Sequence, residues 1–235
     1  MGKGICIVTG GTKGIGKAVI HAFAKEGFDI ATCARNEEDL FALKSELTAS
    51  FEVNVHTFKC DMSDREQLNA FVDFVKLIGE PIEVLVNNTG QFIPGAILEE
   101  QEGVLEQMMS TNLYSAYHMS RAVVPNMKER NKGHIFNICS IASFHAYPNG
   151  GSYSITKFAM YGMSKVLREE LKSESIRVTA VMPGATYTAS WEGVDLPEDR
   201  LMPSEDIAKM IFATFSLSPR SVVEDLVIRP QLGDL

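Results

Sequence analysis

The chain has 235 residues, 45% hydrophobic and 22% charged, which allows one large domain with a substantial core or two small ones. A formal net charge of -8 argues against a nucleic-acid-binding role, because phosphate recognition needs a basic face. Four widely spaced cysteines (Cys6, Cys33, Cys60, Cys139) read as small buried hydrophobes, and the five histidines show no paired spacing, so neither a disulfide nor a metal is assigned.

The N-terminus shows no signal peptide, since the apolar run after Lys3 is too short, and it lacks the Ser or Thr of a myristoylation signal. A soluble, cytoplasmic protein is expected. Short β-branched and aliphatic runs at 4–9, 29–33, 53–59, 82–86, 134–139, 176–182 and 225–229 mostly lack strict alternation. Strands buried on both faces of a parallel sheet read this way. Between them lie helical patterns. Residues 14–26 place Ile15, Ala18, Val19, Ala22 and Phe23 at 3.6 spacing. Residues 36–49 follow an Asn36 cap signal, and 63–78 open with Ser63 and Glu66 in capping-box spacing. Residues 101–130 predict two helices or one bent one. Residues 152–173 predict a helix, and 204–216 another capped by Ser204. No linker or repeat interrupts this alternation, which predicts a single Rossmann-type, doubly wound α/β domain of about seven parallel strands over 1–235. Residues 185–203, broken by Gly193, Pro197 and Pro203, read as a substrate loop, with an ordinary surface connection as the competing reading.

From Gly133 to Thr156 the chain carries no Asp, Glu, Lys or Arg, and Lys157 ends the run. Its Asn, Pro, Gly and five Ser or Thr residues exclude a membrane span, which needs about 20 mostly apolar residues.

The segment Thr9–Gly16, TGGTKGIG, follows the first strand run and opens a helix. Its spacing is TGxxxGxG rather than GxGxxG. A glycine turn in that context lets the backbone approach a dinucleotide pyrophosphate at a helix N-terminus. After the second strand run, Ala34 stands where an acidic ribose ligand is expected for NAD(H), and Arg35 follows. Lys13 and Arg35 together favour the 2′-phosphate of NADP(H). The competing reading makes them surface charges neutralised by Glu37 and Glu38.

The ordered set TGGTKGIG (9–16), CDMSD (60–64), NNTG (87–90), Asn112, Ser140, YSITK (153–157) and PGATYT (183–188) resembles the classical short-chain dehydrogenase/reductase family over essentially the whole chain. The resemblance implies hydride transfer between NADPH and a carbonyl. Tyr153 would be the general acid, and Lys157, one helical turn away, would lower the phenol's pKa and hold the nicotinamide ribose. Ser140 would orient the substrate oxygen, and Asn112 would support a water-mediated proton path to Lys157. It also implies a cofactor surface of Gly10, Thr12, Lys13, Gly14, Ile15, Gly16, Arg35, Asp61, Met62, Asn87, Gly90, Pro183, Gly184, Thr186 and Thr188, with Tyr153 and Lys157. Two departures from the family pattern are Thr89 for alanine and Thr186 for valine.

The C-terminal SVVEDLVIRPQLGDL and PGATYTASW resemble bacterial members related to sepiapterin reductase. That resemblance implies small ketones, diketones or pteridine side chains as substrates. Phe92, Phe144, His145, Tyr147, Tyr187 and Trp191 are candidate pocket residues, with ordinary packing as the competing reading. Alternatives are a β-ketoacyl carrier-protein reductase and a non-catalytic dinucleotide sensor. The sensor reading is disfavoured by retention of Tyr153 and Lys157. Met108, Met109, Met119, Met160 and Met163 suggest more apolar helix surface than one sheet face covers, and the resemblance implies a homodimer or homotetramer through a four-helix interface. No nucleic-acid or membrane partner is expected.

Overall fold

The computed structural model describes residues 3–188, Pro197 and 200–234. Seven parallel strands form one sheet: β1 (Ile5–Thr9), β2 (Asp29–Ala34), β3 (Val55–Lys59), β4 (Ile82–Asn87), β5 (Gly133–Ile138), β6 (Ile176–Pro183) and β7 (Asp225–Ile228). Their order is β3-β2-β1-β4-β5-β6-β7. The direction of winding reverses between β1 and β4. An open α/β sheet places its ligand crevice at such a switch point, beyond the carboxyl ends of the strands. Every residue of β1, β4 and β5 is buried, which explains why these strands lack strict alternation. Their buried polar members are paired, Glu83 with Arg130 and Lys132, Asn87 with Asn137, and His134 with Thr179. The edge strands β3 and β7 are only partly buried.

The helices are α1 (Gly14–Lys25), α2 (Glu37–Ser50), α3 (Arg65–Ile78), α4 (Val104–Met108), α5 (Ser115–Glu129), α6 (Gly151–Leu171) and α7 (Ser204–Phe215). On one face, α1, α2 and α7 enclose a core in which Phe23 meets Phe212 and Phe215 edge-on at 5.1 and 5.4 Å. On the other, α3, α5 and the end of α6 bury Phe71, Met119, Val123, Met127 and Leu171. A smaller cluster of Ala116, Cys139, Met160, Ala180 and Met182 lies under the carboxyl end of β5.

Two of the three expected helix caps change. Asn36 caps α2 as expected, accepting from Glu38 N and Asp39 N. Asp64, not Ser63, caps α3, accepting from Glu66 N and Gln67 N. The Ser63 hydroxyl instead donates to Asp61 Oδ1 at 2.7 Å, so a carboxylate takes the cap. At α7 the cap position belongs to Pro203 without a side-chain bond, because the Ser204 hydroxyl donates to Tyr187 O at 3.0 Å. Between α4 and α5 the chain runs through a π-helical turn, Met109–Tyr114, so 104–129 is one continuous helical path with a widened middle.

Met108, Met119 and Met160 are fully buried in the chain's own core and are no surplus surface. The exposed apolar groups on these helices are instead Tyr114, Tyr117, Ile155, Phe158 and Val166. Among the described residues no helix is long and apolar enough to cross a membrane.

Candidate active site

β1 delivers Thr9 to the crevice, and the chain then turns through Gly10 (φ 66°) and Gly14 (φ 50°), left-handed conformations that favour glycine. The loop is braced from β4. Asn88 Nδ2 donates to Thr9 O and Gly10 O, each at 2.9 Å. The Thr9 hydroxyl accepts from Asn88 N at 3.0 Å and Thr89 N at 3.1 Å. Sequence reasoning stopped at Asn87, whose amide turns inward to Ser120 Oγ (3.0 Å) and Asn137 Oδ1 (2.8 Å). The loop-supporting amide is the second asparagine of NNTG, and no spacing rule distinguishes the two. Gly16 packs so closely on Asn88 that a Cβ there would lie 2.5 Å from Nδ2. Across the loop, Thr188 Cγ2 lies 3.0 Å from where a Gly14 Cβ would stand.

The crevice fits a dinucleotide on this chain's own features. α1 starts at Lys13 with no side-chain cap and no acidic residue in its first turn. Its leading N–H groups and positive dipole end are therefore left for a phosphate. Thr12 and Ile15 lie in the same turn, both partly exposed. Thr89 Oγ1 is buried beside Gly10 without a hydrogen-bond partner. At the ends of β2 and β3, Arg35 is exposed, and Asp61 Oδ1 accepts from Ser63 N at 2.9 Å. Lys13 pairs loosely with Asp39 at 3.6 Å, while Glu37 pairs with Lys59 at 3.9 Å. Among the described residues Arg35 forms no ion pair, so neutralisation by Glu37 and Glu38 is not what the structure places there. The Met62 side chain packs in the core, with its sulfur 3.7 Å from Cys60 Sγ.

On the other side of the switch point, Ser140 follows β5 and opens a 3₁₀ turn, Ile141–Ser143, accepting from Ala142 N at 3.1 Å. Tyr153 and Lys157 lie one turn apart on α6. Lys157 is buried, donates from Nζ to Ile138 O at 2.8 Å, and sits 5.6 Å from the Tyr153 ring centroid. Asn112, fully buried in the π-helical turn, clamps the backbone of Gln91 from both sides. Its Oδ1 accepts from Gln91 N at 2.7 Å and its Nδ2 donates to Gln91 O at 3.0 Å. The same amide donates to Thr156 Oγ1 at 2.9 Å, a residue that sequence reasoning missed. A Cβ on Gly90 would stand 3.5 Å from Asn112 Oδ1 and 3.6 Å from Lys157 Nζ, so the three residues are neighbours.

Burial dominates the electrostatics. It lowers the Lys157 pKa from 10.5 to about 8, opposed by the Cys139 thiol, because a buried ammonium loses its hydration. Burial also raises the Tyr153 phenol, with the Ser140 hydroxyl pulling down and Cys139 pushing up. Burial is the largest influence on the phenol, and the opposing downward pull comes from the Ser140 hydroxyl. Tyr153 keeps some solvent contact as a residue, yet enough protein surrounds it for burial to lead.

Phe92 stands edge-on to Tyr153, with ring centroids 4.9 Å apart and planes at 76°. The Tyr147 phenol is pushed up to about 12 by burial and then by Tyr153, which places it at the same mouth. Phe92, Phe144, Tyr147 and Tyr187 are 38%, 46%, 37% and 57% exposed, and His145 is exposed beside them. Tyr187 is held by its N–H to Met202 O at 2.8 Å. Pro183 ends β6, Gly184 N donates to Ile228 O at 2.8 Å, and the Thr186 hydroxyl donates to Gly184 O at 3.0 Å. Trp191 and most of 185–203 lie outside the described residues. A separate groove of about 420 Å³ between α3 and α5, lined by Arg65, His118 and Arg121 among others, shares no residue with this site.

The profile of the family described as short chain dehydrogenase matches residues 4–198. Sepiapterin reductase of Chlorobaculum tepidum is 31% identical over 241 residues, covering 99% of this chain and 98% of that protein. L-Sorbose reductase of Gluconobacter frateurii, solved with NADPH and L-sorbose, superposes with a TM-score of 0.90 at 25% identity, covering 98% of this chain and 96% of that one. A metagenomic short-chain oxidoreductase solved with NADP gives a TM-score of 0.84 at 27% identity, covering 97% and 96%.

Proposed function

We propose, from the premise that this chain belongs to the short chain dehydrogenase family, that it is an NADPH-dependent reductase of small ketones, diketones or pteridine side chains, with Tyr153 as general acid. NADPH, when bound, supplies the hydride. The solved relatives that carry NADP or NADPH support this cofactor, as do the uncapped start of α1 and the exposed Arg35. In this reading Arg35 and Lys13 meet the 2′-phosphate, and Asp61 lies at the adenine end.

The observation that carries the proposal is geometric: Tyr153 lies one turn from a buried Lys157, whose Nζ is 5.6 Å from the phenol ring, with Asn112 and Gly90 beside it. A free phenol titrates near pKa 10, so a further rise keeps the Tyr153 proton in place at neutral pH. Ser140 donates to the carbonyl oxygen and orients it. Tyr153 passes its proton to that oxygen as negative charge develops there. Lys157 is still mostly cationic below about pH 8 and stabilises the phenolate left behind. Asn112 holds the Gln91 backbone next to Gly90 and Lys157, which fits the expected water path for proton return. The mouth at Phe92 and Tyr147 is aromatic, which suits a planar or hydrophobic carbonyl compound. The exposed Tyr114, Tyr117, Ile155 and Phe158 support a homo-oligomer joined through α5 and α6.

Replacing Tyr153 by Phe tests the assignment. Turnover falls by about 10²- to 10⁴-fold, the range of a lost general acid, while the NADPH Kd holds within about twofold. Retained turnover rejects Tyr153 as the acid.

A further inference from the structure

α6 carries Tyr153 in its first turn, yet it begins without a cap of its own. Gly150, at the cap position, makes no side-chain bond, and no acidic residue lies in the first turn. A helix start leaves N–H groups without intrahelical partners, and buried ones need an acceptor. Ser152 is buried. Its N–H donates to Glu100 Oε1 at 2.9 Å, and its hydroxyl donates to Glu100 Oε2. Glu100 therefore acts from 52 residues away as the missing cap, gripping with both carboxylate oxygens the residue just before the tyrosine.

The surrounding backbone is shaped for this side chain. A Cβ on Gly151 would collide with Glu100 Oε1 and with Gly95 O. A Cβ on Gly95 would stand 2.7 Å from Glu100 Cγ. Gly95 N donates to Asn149 O at 3.0 Å, and Glu100 N donates to Ala96 O at 3.0 Å. The segment 95–100 is thus folded against the start of α6, and it follows directly on Gln91 and Phe92, the backbone that Asn112 clamps and the ring that meets Tyr153. One carboxylate joins the loop after β4 to the tyrosine's helix.

We infer that Glu100 is a positioning residue for Tyr153: by binding Ser152 through both N–H and hydroxyl, it fixes where the first turn of α6 presents the phenol. The inference rests on Tyr153 being the general acid. A misplacement of about 1 Å in a reacting group costs up to about 100-fold in rate, so the effect falls on kcat more than on cofactor binding.

The experiment measures kcat, KM for a small diketone, NADPH Kd and the melting curve for wild type, Glu100→Ala, Glu100→Gln, Ser152→Ala and Tyr153→Phe. Glu100→Ala lowers kcat by about 10- to 100-fold with NADPH Kd within about twofold. Glu100→Gln restores most of it, because its amide still accepts from Ser152 N and can donate to the Ser152 hydroxyl. Ser152→Ala, which keeps the N–H, shows a smaller loss of kcat in the same direction. If Tyr153→Phe is inactive but Glu100→Ala keeps kcat within about twofold of wild type, the positioning role is overturned while the acid assignment stands. A Glu100→Ala loss that Glu100→Gln does not rescue also overturns it. If Glu100→Ala does not fold, Glu100→Gln and Ser152→Ala decide: near-normal and reduced kcat, respectively, support the role, and any other pattern rejects it. A fully active Tyr153→Phe removes the acid assignment on which the inference stands.

Discussion

The two sides of the switch point are built by different means. The glycine-loop side, at the ends of β1 and β2, is made mostly of backbone: left-handed Gly10 and Gly14, an uncapped helix start, and carbonyls braced by Asn88. Its charged groups, Lys13 and Arg35, are exposed. The Tyr153 side is made of buried polar side chains, Asn112, Thr156, Lys157 and Ser152, each tied to a segment distant in sequence. A surface that must accept different parts of a large anion is served by free N–H groups and exposed cations. A proton donor must instead be held in one place, and buried hydrogen bonds do that.

Each side can be broken without the other. Arg35→Asp acts on the first alone. It shifts the NADPH/NADH preference by about 10- to 100-fold toward NADH, the worth of one to two charge-assisted contacts, and leaves kcat at saturating cofactor near wild type. Steady-state kinetics with both cofactors checks this, and an unchanged ratio removes Arg35 from the phosphate site. A smaller effect belongs to the second side. The folded pKa of Lys157, about 8, lies below its ordinary 10.5. Below pH 8 the lysine is charged in both folded and unfolded chains, and burying that charge costs stability. Between about 8 and 10.5 the unfolded chain binds the extra proton, so this penalty is relieved as pH rises. Urea unfolding should therefore show wild type gaining on Lys157→Met by on the order of 1 kcal/mol between pH 8 and 9. A parallel pH dependence of the two proteins would contradict a buried, depressed lysine.

The same contrast governs what the sequence discloses. The glycine-loop side is contiguous, so TGGTKGIG, Ala34 and Arg35 are legible as the proposed nucleotide surface, and the two-face burial of β1, β4 and β5 is legible as runs without strict alternation. The Tyr153 side is legible in its proposed reacting groups and illegible in its supports. Glu100 and Ser152 lie 52 residues apart, and no local pattern joins them. Asn112 is found by family order, but its grip on Gln91 depends on the π-helical turn, which leaves no residue signature. The exchange of roles between Asn87 and Asn88 follows from the alternation at the end of β4: one side chain points into the sheet interior and its neighbour over the loop. The i, i+4 spacing of Tyr153 and Lys157 conveys the nearby charge and not the burial, which is the largest influence on the phenol in the structure.

As proposed above, this site reduces small carbonyl compounds with NADPH. NADPH oxidation followed with the wild-type enzyme, comparing small diketones with a β-ketoacyl carrier-protein thioester, tests it most directly. The account predicts the higher kcat/KM for the diketones. A higher value for the carrier-bound thioester, or no NADPH oxidation with any small carbonyl compound, contradicts it.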